Sequence, residues 1–380
     1  MAKSISSPIP ARIKAVGIGG GGCNAINRMV RQGVSGVDFV AMNTDAQALQ
    51  LAEAPTRIQL GEKLTRGLGV GGHHELGQKA AEESRQIIEE LVEGADMVFV
   101  AAGMGGGTGT GGIPTIAEIA KNSGALTIGV VTKPFSFEGG HRSKVAEEGL
   151  VNLTDKVDTL IIIPNDRLLS LCDAKTSVDN AFRLADDALM LGVQSISEVV
   201  TVPGLINLDF ADIKSVMKDA GPAWMSVGRG SGQNRAAEAA RAALASPLLD
   251  VSVKGAQGVI FNITGGPSLT LFECNEAAEV ISQAVDPNAN IIFGVVNDPE
   301  MSDSEVKITV IATGFGKRNG QTVTQEELRR LIKGGGEALD VPSFLRRTHH
   351  QTGSSLLQDN EVKEGMRLTS QPPAPSNKMF

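Results

Sequence analysis

The chain has 380 residues, 41% hydrophobic and 21% charged, with a net charge of −8, one tryptophan and no tyrosine. That length supports two cores, since domains run about 100–200 residues, and the acidic balance argues against a generic nucleic-acid binder. Cys23, Cys172 and Cys274 lie far apart and read as reduced cytosolic thiols, neither histidine pair has metal-ligand spacing, and no apolar run or signal-peptide core points to a membrane or export, so a bacterial or archaeal cytoplasm is the simplest home.

After a flexible start over residues 1–11, the spacing predicts a strand at Ile13–Ile18. A glycine loop, Gly19-Gly20-Gly21-Gly22-Cys23-Asn24, follows and leads into a helical run from Ala25 to Arg31. Cys23, set in a glycine loop, would be open to modification. Gly17, Gly19 and Gly22 fit G-x-G-x-x-G, and Asp45 comes after the next strand, Val37–Met42. That spacing also suits a dinucleotide-binding Rossmann unit, so a nicotinamide-dependent oxidoreductase is carried as an alternative.

Further strands are predicted at Arg57–Leu60 and Met97–Ala102. The second of these runs into Gly105-Gly106-Gly107-Thr108-Gly109-Thr110-Gly111, and a helical run from Ile113 to Lys121 comes next. Strand, glycine loop, helix is the arrangement that aims backbone N–H groups and a helix N-terminus at a phosphate. A flexible linker would not be bracketed by a buried-strand pattern and a helix start. No G-x-x-x-x-G-K-[ST] occurs, so no P-loop lysine is available. Backbone donors to a charged acceptor contribute about 1.5–3 kcal/mol each, and three or four of them reach the roughly −8 kcal/mol of micromolar binding. Two glycine loops suit a triphosphate gripped from two sides better than a single pyrophosphate.

Strands at Leu126–Val131 and Thr159–Pro164 complete an alternation that implies a Rossmann-like, mostly parallel α/β sheet with ligands at its C-terminal strand ends. A long helix is predicted from about Val178 to Val200. A second α/β region follows, with strands at Ala223–Val227, Gly258–Thr264, Asn290–Val296 and Val306–Thr313 and helices at Ala211–Lys218, Arg235–Ala245 and Glu273–Ala284. Trp224 reads as core filler. The composition then shifts to Gly, Lys, Gln, Ser and Pro, and residues 316–380 read as a disordered tail holding one apolar-plus-basic segment, Leu339–Arg347. The expected domains are 12–176, a central helix 177–204, and 205–315.

Some residues have plain readings on spacing alone. Phe182 and Asp186 share a helix face, and Glu138 and Arg142 form an i,i+4 pair. Asp209 would N-cap the helix that follows, and Asp212 would complete a capping-box-like pair.

The motifs together resemble the tubulin/FtsZ family, and within it the bacterial cell-division GTPases. Gly105–Gly111 matches the family signature, and the likeness runs from about Arg12 to Phe315. It rests also on Asn43-Thr44-Asp45-Ala46-Gln47-Ala48-Leu49, on Pro134-Phe135-Ser136-Phe137-Glu138-Gly139, and on Asn207-Leu208-Asp209-Phe210-Ala211-Asp212. The resemblance implies a GTPase that polymerises head-to-tail and organises a division ring at midcell. The first loop, with Gly20, Gly21, Gly22, Cys23 and Asn24, would bind GTP, and Gly20, Gly21 and Asn24 would face the phosphates. Gly107, Thr108 and Gly109 would cradle them from the second loop. Glu138 and Arg142 would meet the ribose and phosphate region, and Asn165, Phe182 and Asp186 the guanine base. An aspartate suits guanine because it accepts from both the N1–H and the N2 amine, a pair that adenine lacks.

Asn207, Asp209 and Asp212 would be catalytic in the neighbouring subunit's pocket. GTP and GDP would be the ligands, with Mg²⁺ bound through the nucleotide and no metal site of the protein's own. Partners would be further copies of the chain and, through Leu339–Arg347, membrane-tethering and division proteins, without nucleic acid and without direct membrane insertion. A filament GTPase for cell shape or plasmid movement is the nearer alternative. The chain departs from the family pattern at His73-His74, at Arg229, and in continuing beyond Arg347.

Overall fold

The computed structural model describes residues 11–170, 172, 176–201, 209–246, 255–298, 301–315, 317–318 and 321–322. Strand β1 (Ile13–Ile18) runs into α1 (Gly19–Arg31), followed by β2 (Val37–Asn43), α2 (Ala46–Gln50), β3 (Thr56–Gln59) and α3 (Glu62–Thr65). Next come α4 (His74–Glu83), α5 (Arg85–Val92), β4 (Met97–Gly103), α6 (Thr108–Asn122) and β5 (Leu126–Lys133). A 3₁₀ turn at Ser136–Glu138 precedes α7 (Gly140–Thr154), β6 (Thr159–Pro164), α8 (Asn165–Leu169) and the long α9 (Val178–Thr201). The second region holds α10 (Phe210–Met217), β7 (Gly221–Ser231), α11 (Arg235–Leu244), β8 (Gly258–Gly265), α12 (Leu271–Ala284), β9 (Asn290–Asn297) and β10 (Glu305–Thr313). A short ladder of β11 (Lys317–Arg318) and β12 (Gln321–Thr322) comes last.

The strands lie in the order β3-β2-β1-β4-β5-β6-β7-β10-β8-β9. The first six are parallel, β7 pairs in parallel with β6 over three residues, and β10 is antiparallel to both β7 and β8. The order 3-2-1-4-5-6 is the doubly wound arrangement, whose direction reverses between β1 and β4. Strands buried on both faces read as continuous apolar runs. In β4, Met97 to Ala102 are all buried.

One core packs α1, α9 and α10 on a face of this sheet and extends to Met225, Ile260 and Ile311 of the second region. A second core packs α4 to α7 on the opposite face. A third lies under α11 and α12. Trp224 is buried, its ring edge-on to Phe315 at 4.5 Å. Among the described residues no helix is long and apolar enough to cross a membrane.

The strands and later helices fall within a few residues of the sequence expectation, but the glycine runs differ. Helix α1 begins at Gly19 and α6 at Thr108, inside those runs rather than after them. Each glycine in a helix costs about 1 kcal/mol relative to alanine, so another interaction must offset it. Close backbone packing does. A Cβ on Gly22 would lie 2.3 Å from the Ala101 carbonyl oxygen, and one on Gly111 would lie 1.8 Å from that of His74. These glycines let helix lie directly on strand and α4 directly on α6. Apart from the β11–β12 ladder, the reading of 316–380, including 339–347, lies outside the described residues, as does nearly all of the N-terminal stretch.

Gly111→Ala must push α4 off α6. Overpacking costs about 1–3 kcal/mol where side chains yield, and a backbone carbonyl yields less, so we expect a loss of about 3 kcal/mol or more. Gly140→Ala, whose Cβ would meet nothing within 4 Å, is the control and should be neutral or slightly stabilising. Urea unfolding of the two variants reads the difference, and an unchanged midpoint for Gly111→Ala would contradict the packing role.

Candidate functional site

The site begins where β1 and β4 lie side by side, with Ile18 opposite Ala102. The helices that follow these strands therefore start side by side. A Cβ on Gly19 (φ +70°) would lie 2.9 Å from the Gly109 backbone nitrogen, and one on Gly21 would lie 3.3 Å from that of Gly103. The first N–H groups of each helix, around Gly19–Gly21 and Thr108–Thr110, have no acceptor within their own helix. Two positive dipole ends thus converge on one spot, which suits an anion.

The second glycine loop is held in shape from within. Gly105 N–H donates to Thr110 Oγ1 at 2.8 Å, and Gly107 N–H donates to the Gly71 carbonyl at 2.8 Å. The second of these bonds pins the 69–73 loop and the start of α4 to the same spot. The hydroxyls of Thr44 and Thr108 bond each other at 2.7 Å, tying in the end of β2. Asp45 is spent on a cap: its carboxylate accepts from Gln47 N–H at 2.9 Å and Ala48 N–H at 3.1 Å. The oxidoreductase alternative thereby loses its ribose acceptor. His73 stands at the α4 N-cap, and His74 Nε2 is 4.0 Å from a Glu148 carboxylate oxygen.

The other end of the site lies past β5 and β6. Phe135 and Phe137 stack at 4.9 Å, and Phe182 meets Phe135 edge-on at 5.5 Å while staying 40% exposed. Asn165, the first residue of α8, is buried, and its side-chain oxygen has no hydrogen-bond partner. A buried unsatisfied acceptor costs about 1–3 kcal/mol, a cost that a donor from a ligand would remove. Asp186, one turn after Phe182 on α9, is partly buried. Burial, and then the Asp187 charge, push its carboxyl up to about 7, against the pull of Arg28. Glu138 accepts from Phe135 N–H at 2.9 Å and pairs with Arg142. The i,i+4 pair of the sequence reading is therefore formed, with Arg142 half-exposed.

Cys23 needs a correction. Because α1 already begins at Gly19, this residue is a helix-interior position facing β2, not a loop tip. It is buried, its thiol is 3.6 Å from the Met42 carbonyl, and burial pushes it up to about 12. Gly20 and Asn24 are exposed at the same helix start, while Gly22 is buried against β4.

The carboxylates lie elsewhere. Asp209 occupies the α10 N-cap, and the Asp212 carboxylate accepts from its N–H at 3.4 Å, as the capping pattern predicted. Both are exposed, and Asn207 lies outside the described residues. Helix α9 starts beside the aromatic cluster and ends against the entry to β2, where Thr201 Oγ1 donates to the Ser35 carbonyl at 3.4 Å. Its 24 residues span roughly 36 Å. The end of α10 is held to the first residue of β6, with Thr159 Oγ1 donating to the Met217 carbonyl at 2.5 Å. Both anchors lie at the N-terminal strand edge, opposite the glycine loops.

Sequence reasoning did not single out Arg28, Asp187 or the Phe135–Phe137 stack. Arg28 bonds Asp187 across 159 residues, a separation that no local pattern reveals.

Residues 12–173 match the family model described as the GTPase domain of the Tubulin/FtsZ family, and residues 221–316 match the C-terminal domain of the FtsZ family. Among solved structures, an empty FtsZ dimer from M. jannaschii is 44% identical over 80% of this chain and 89% of that chain, with a TM-score of 0.78. CetZ1 from Haloferax volcanii, a GDP-bound monomer, is 21% identical over 86% and 99%, with a TM-score of 0.70. CetZ2 from the same organism, a GTPγS-bound protofilament, is 19% identical over 85% and 99%, with a TM-score of 0.69. At that identity the last two speak to fold alone.

Two measurements test this geometry. In the folded protein a thiol reagent should modify the partly exposed Cys172 first and spare the buried Cys23 and Cys274, and all three should react once urea unfolds the chain. Burial, with the Asp187 charge, holds the Asp186 carboxyl at about 7 in the folded protein, against 3.8 for a free aspartate. An acid raised in this way stabilises the fold below its unfolded value and loses that contribution as pH rises through about 7. Asp186→Asn cannot ionise, so the nucleotide-free variant should match the parent near pH 4 and exceed it by about 1–2 kcal/mol at pH 8, discounted for partial exposure. A gain independent of pH would contradict the assignment.

Proposed function

The chain belongs to the tubulin/FtsZ family and is a GTPase, and from that premise we propose that it assembles head-to-tail into filaments that form the division ring, with each GTPase site completed by the next subunit. The observation that carries this reading is the opposition of the two sets of groups. Anion donors and base contacts gather at one edge of the sheet, and the exposed pair Asp209 and Asp212 belongs to the segment anchored at the other. A chain built this way cannot complete a hydrolytic site alone, but a second copy stacked on the first can.

In this reading the backbone donors of Gly20, Gly21, Gly107, Thr108 and Gly109, with Asn24, hold the phosphates. The Thr44 and Thr108 hydroxyls are oxygen ligands of the kind Mg²⁺ accepts, and the ion would enter with the nucleotide, held chiefly by phosphate oxygens. Asn165 and Asp186 accept from the guanine edge, and Phe182 packs against the base. Glu138 and Arg142 face the ribose and phosphates. The neighbour's Asp212 and Asp209, with Asn207, orient and deprotonate the attacking water, work of the kind that contributes about 10²–10⁴-fold to rate.

Residues 12–176 would serve as the GTP-binding domain and 205–315 as the polymerisation domain, joined by 177–204. The segment 339–347 would dock on a membrane-tethering partner at midcell. Identity of 44% to an FtsZ over 80% of the chain, with the match of residues 221–316 to the FtsZ C-terminal domain, supports division over a shape-determining or plasmid-moving filament.

Hydrolysis per subunit should rise steeply with protein concentration above an assembly threshold. Asp212→Ala should bind GTP normally, hydrolyse it at least a hundredfold more slowly, and form filaments that persist. Mixed with parent subunits, it should lower activity by more than its mole fraction. A per-subunit rate that stays constant from dilute to concentrated solution would show the site complete within one chain.

A further inference from the structure

Asp186 and Asp187 are consecutive on α9, yet only one of them is paired. Arg28, on α1, donates from Nε and Nη2 to the two carboxylate oxygens of Asp187, at 2.5 and 3.1 Å. This forked geometry uses the guanidinium in its strongest mode, and both side chains are about a third exposed. Among the described residues Asp186 receives no hydrogen bond, although the Arg28 charge reaches it. One arginine thus acts on two neighbouring acids and is committed to Asp187.

That choice has a chemical consequence. A carboxylate forked by an arginine has its charge and half its lone pairs taken. It gains little from the neutral N–H donors of a purine. A carboxylate left bare gains much more. Without Asp187, the guanidinium would turn to Asp186, whose carboxyl already feels its charge.

We propose that Arg28 and Asp187 are positioning residues for base selection: Asp187 sequesters the Arg28 guanidinium and so keeps the Asp186 carboxylate free to accept from guanine. The inference rests on the reading of Asp186 as the base acceptor. The same pair joins the helix that carries the first phosphate donors to the helix that carries that acceptor, so it fixes the distance between the two ends of the nucleotide site.

The test is competition between GTP and ATP for the full-length chain, with affinities measured by equilibrium dialysis and KM and kcat by phosphate release. Asp187→Asn should lower the GTP-over-ATP preference by about tenfold or more, the worth of one charge-assisted hydrogen bond, and the loss should fall on KM rather than kcat. Asp187→Glu, which keeps the acceptor, should retain the preference. The double variant Arg28→Met with Asp187→Asn removes the captor along with its decoy and should restore the preference to within about threefold of the parent. An unchanged preference in Asp187→Asn overturns the proposal, as does an equal loss in the single and double variants, which would mark the pair as mere packing between α1 and α9. Asp186→Asn separates the two readings. If it keeps the preference, the base-acceptor reading fails and the proposal with it; if it loses the preference while Asp187→Asn does not, the positioning role alone fails.

Discussion

The arrangement depends on two helix N-termini being brought almost into contact at the point where the strand order reverses. Parallel strands β1 and β4 are neighbours, so their helices must start from adjacent points, and like dipole ends repel. The chain accepts that repulsion only because glycine allows the approach. A single Cβ at Gly19 would meet the Gly109 nitrogen. The unsatisfied donors that result are the source of the site's affinity for an anion, so the electrostatic cost of the fold and the chemistry of the pocket have one origin. Gly71, Thr44 and Thr110 then fix the surrounding loops, which leaves the donors with little freedom to lose on binding.

The base end stores a cost of a different kind. Asn165 has a buried acceptor without a donor, and Asp186 is held against a second carboxylate in a partly desolvated position. Neither arrangement stabilises the empty fold. In the proposed complex both would be relieved by a base that offers N–H groups in the plane of its ring. Functional sites commonly carry such local conflicts, and here the sheet and the paired cores supply the stability that tolerates them.

Much of this was legible in the sequence because parallel strands buried on both faces leave an unambiguous apolar run. The edges of β1, β4 and β6 follow directly from Ile13–Ile18, Met97–Ala102 and Thr159–Pro164. The base-side residues followed from the family likeness, and their i,i+4 spacing agrees with it. What the sequence hid were contacts between distant segments. Glycine runs look like loops, and only the approach of Ala101 and His74 shows that Gly22 and Gly111 belong to helices. Cys23 looked accessible for the same reason. Helix α7 carries glycines and dense acid and base that blur its periodicity, while α4 and α5 are short, at ten and eight residues. The Arg28–Asp187 pair leaves no local trace at all.

The long helix is the remaining step. Helix α9 carries Phe182 and Asp186 in its first half and ends at the opposite edge of the sheet beside β2, the same edge at which α10 is anchored beside β6. Along the way its buried face lies in the same core as Ile213, Val216 and Met217 of α10 and Met225, Ile260 and Ile311 of the second region. That core is close-packed, so a displacement of α9 at the base end cannot be absorbed by soft material between the two edges. In the proposed assembly that core lies between the base contacts and the helix that would meet the next subunit. The Arg28–Asp187 bond ties α1, whose start would hold the phosphates, to the same long helix.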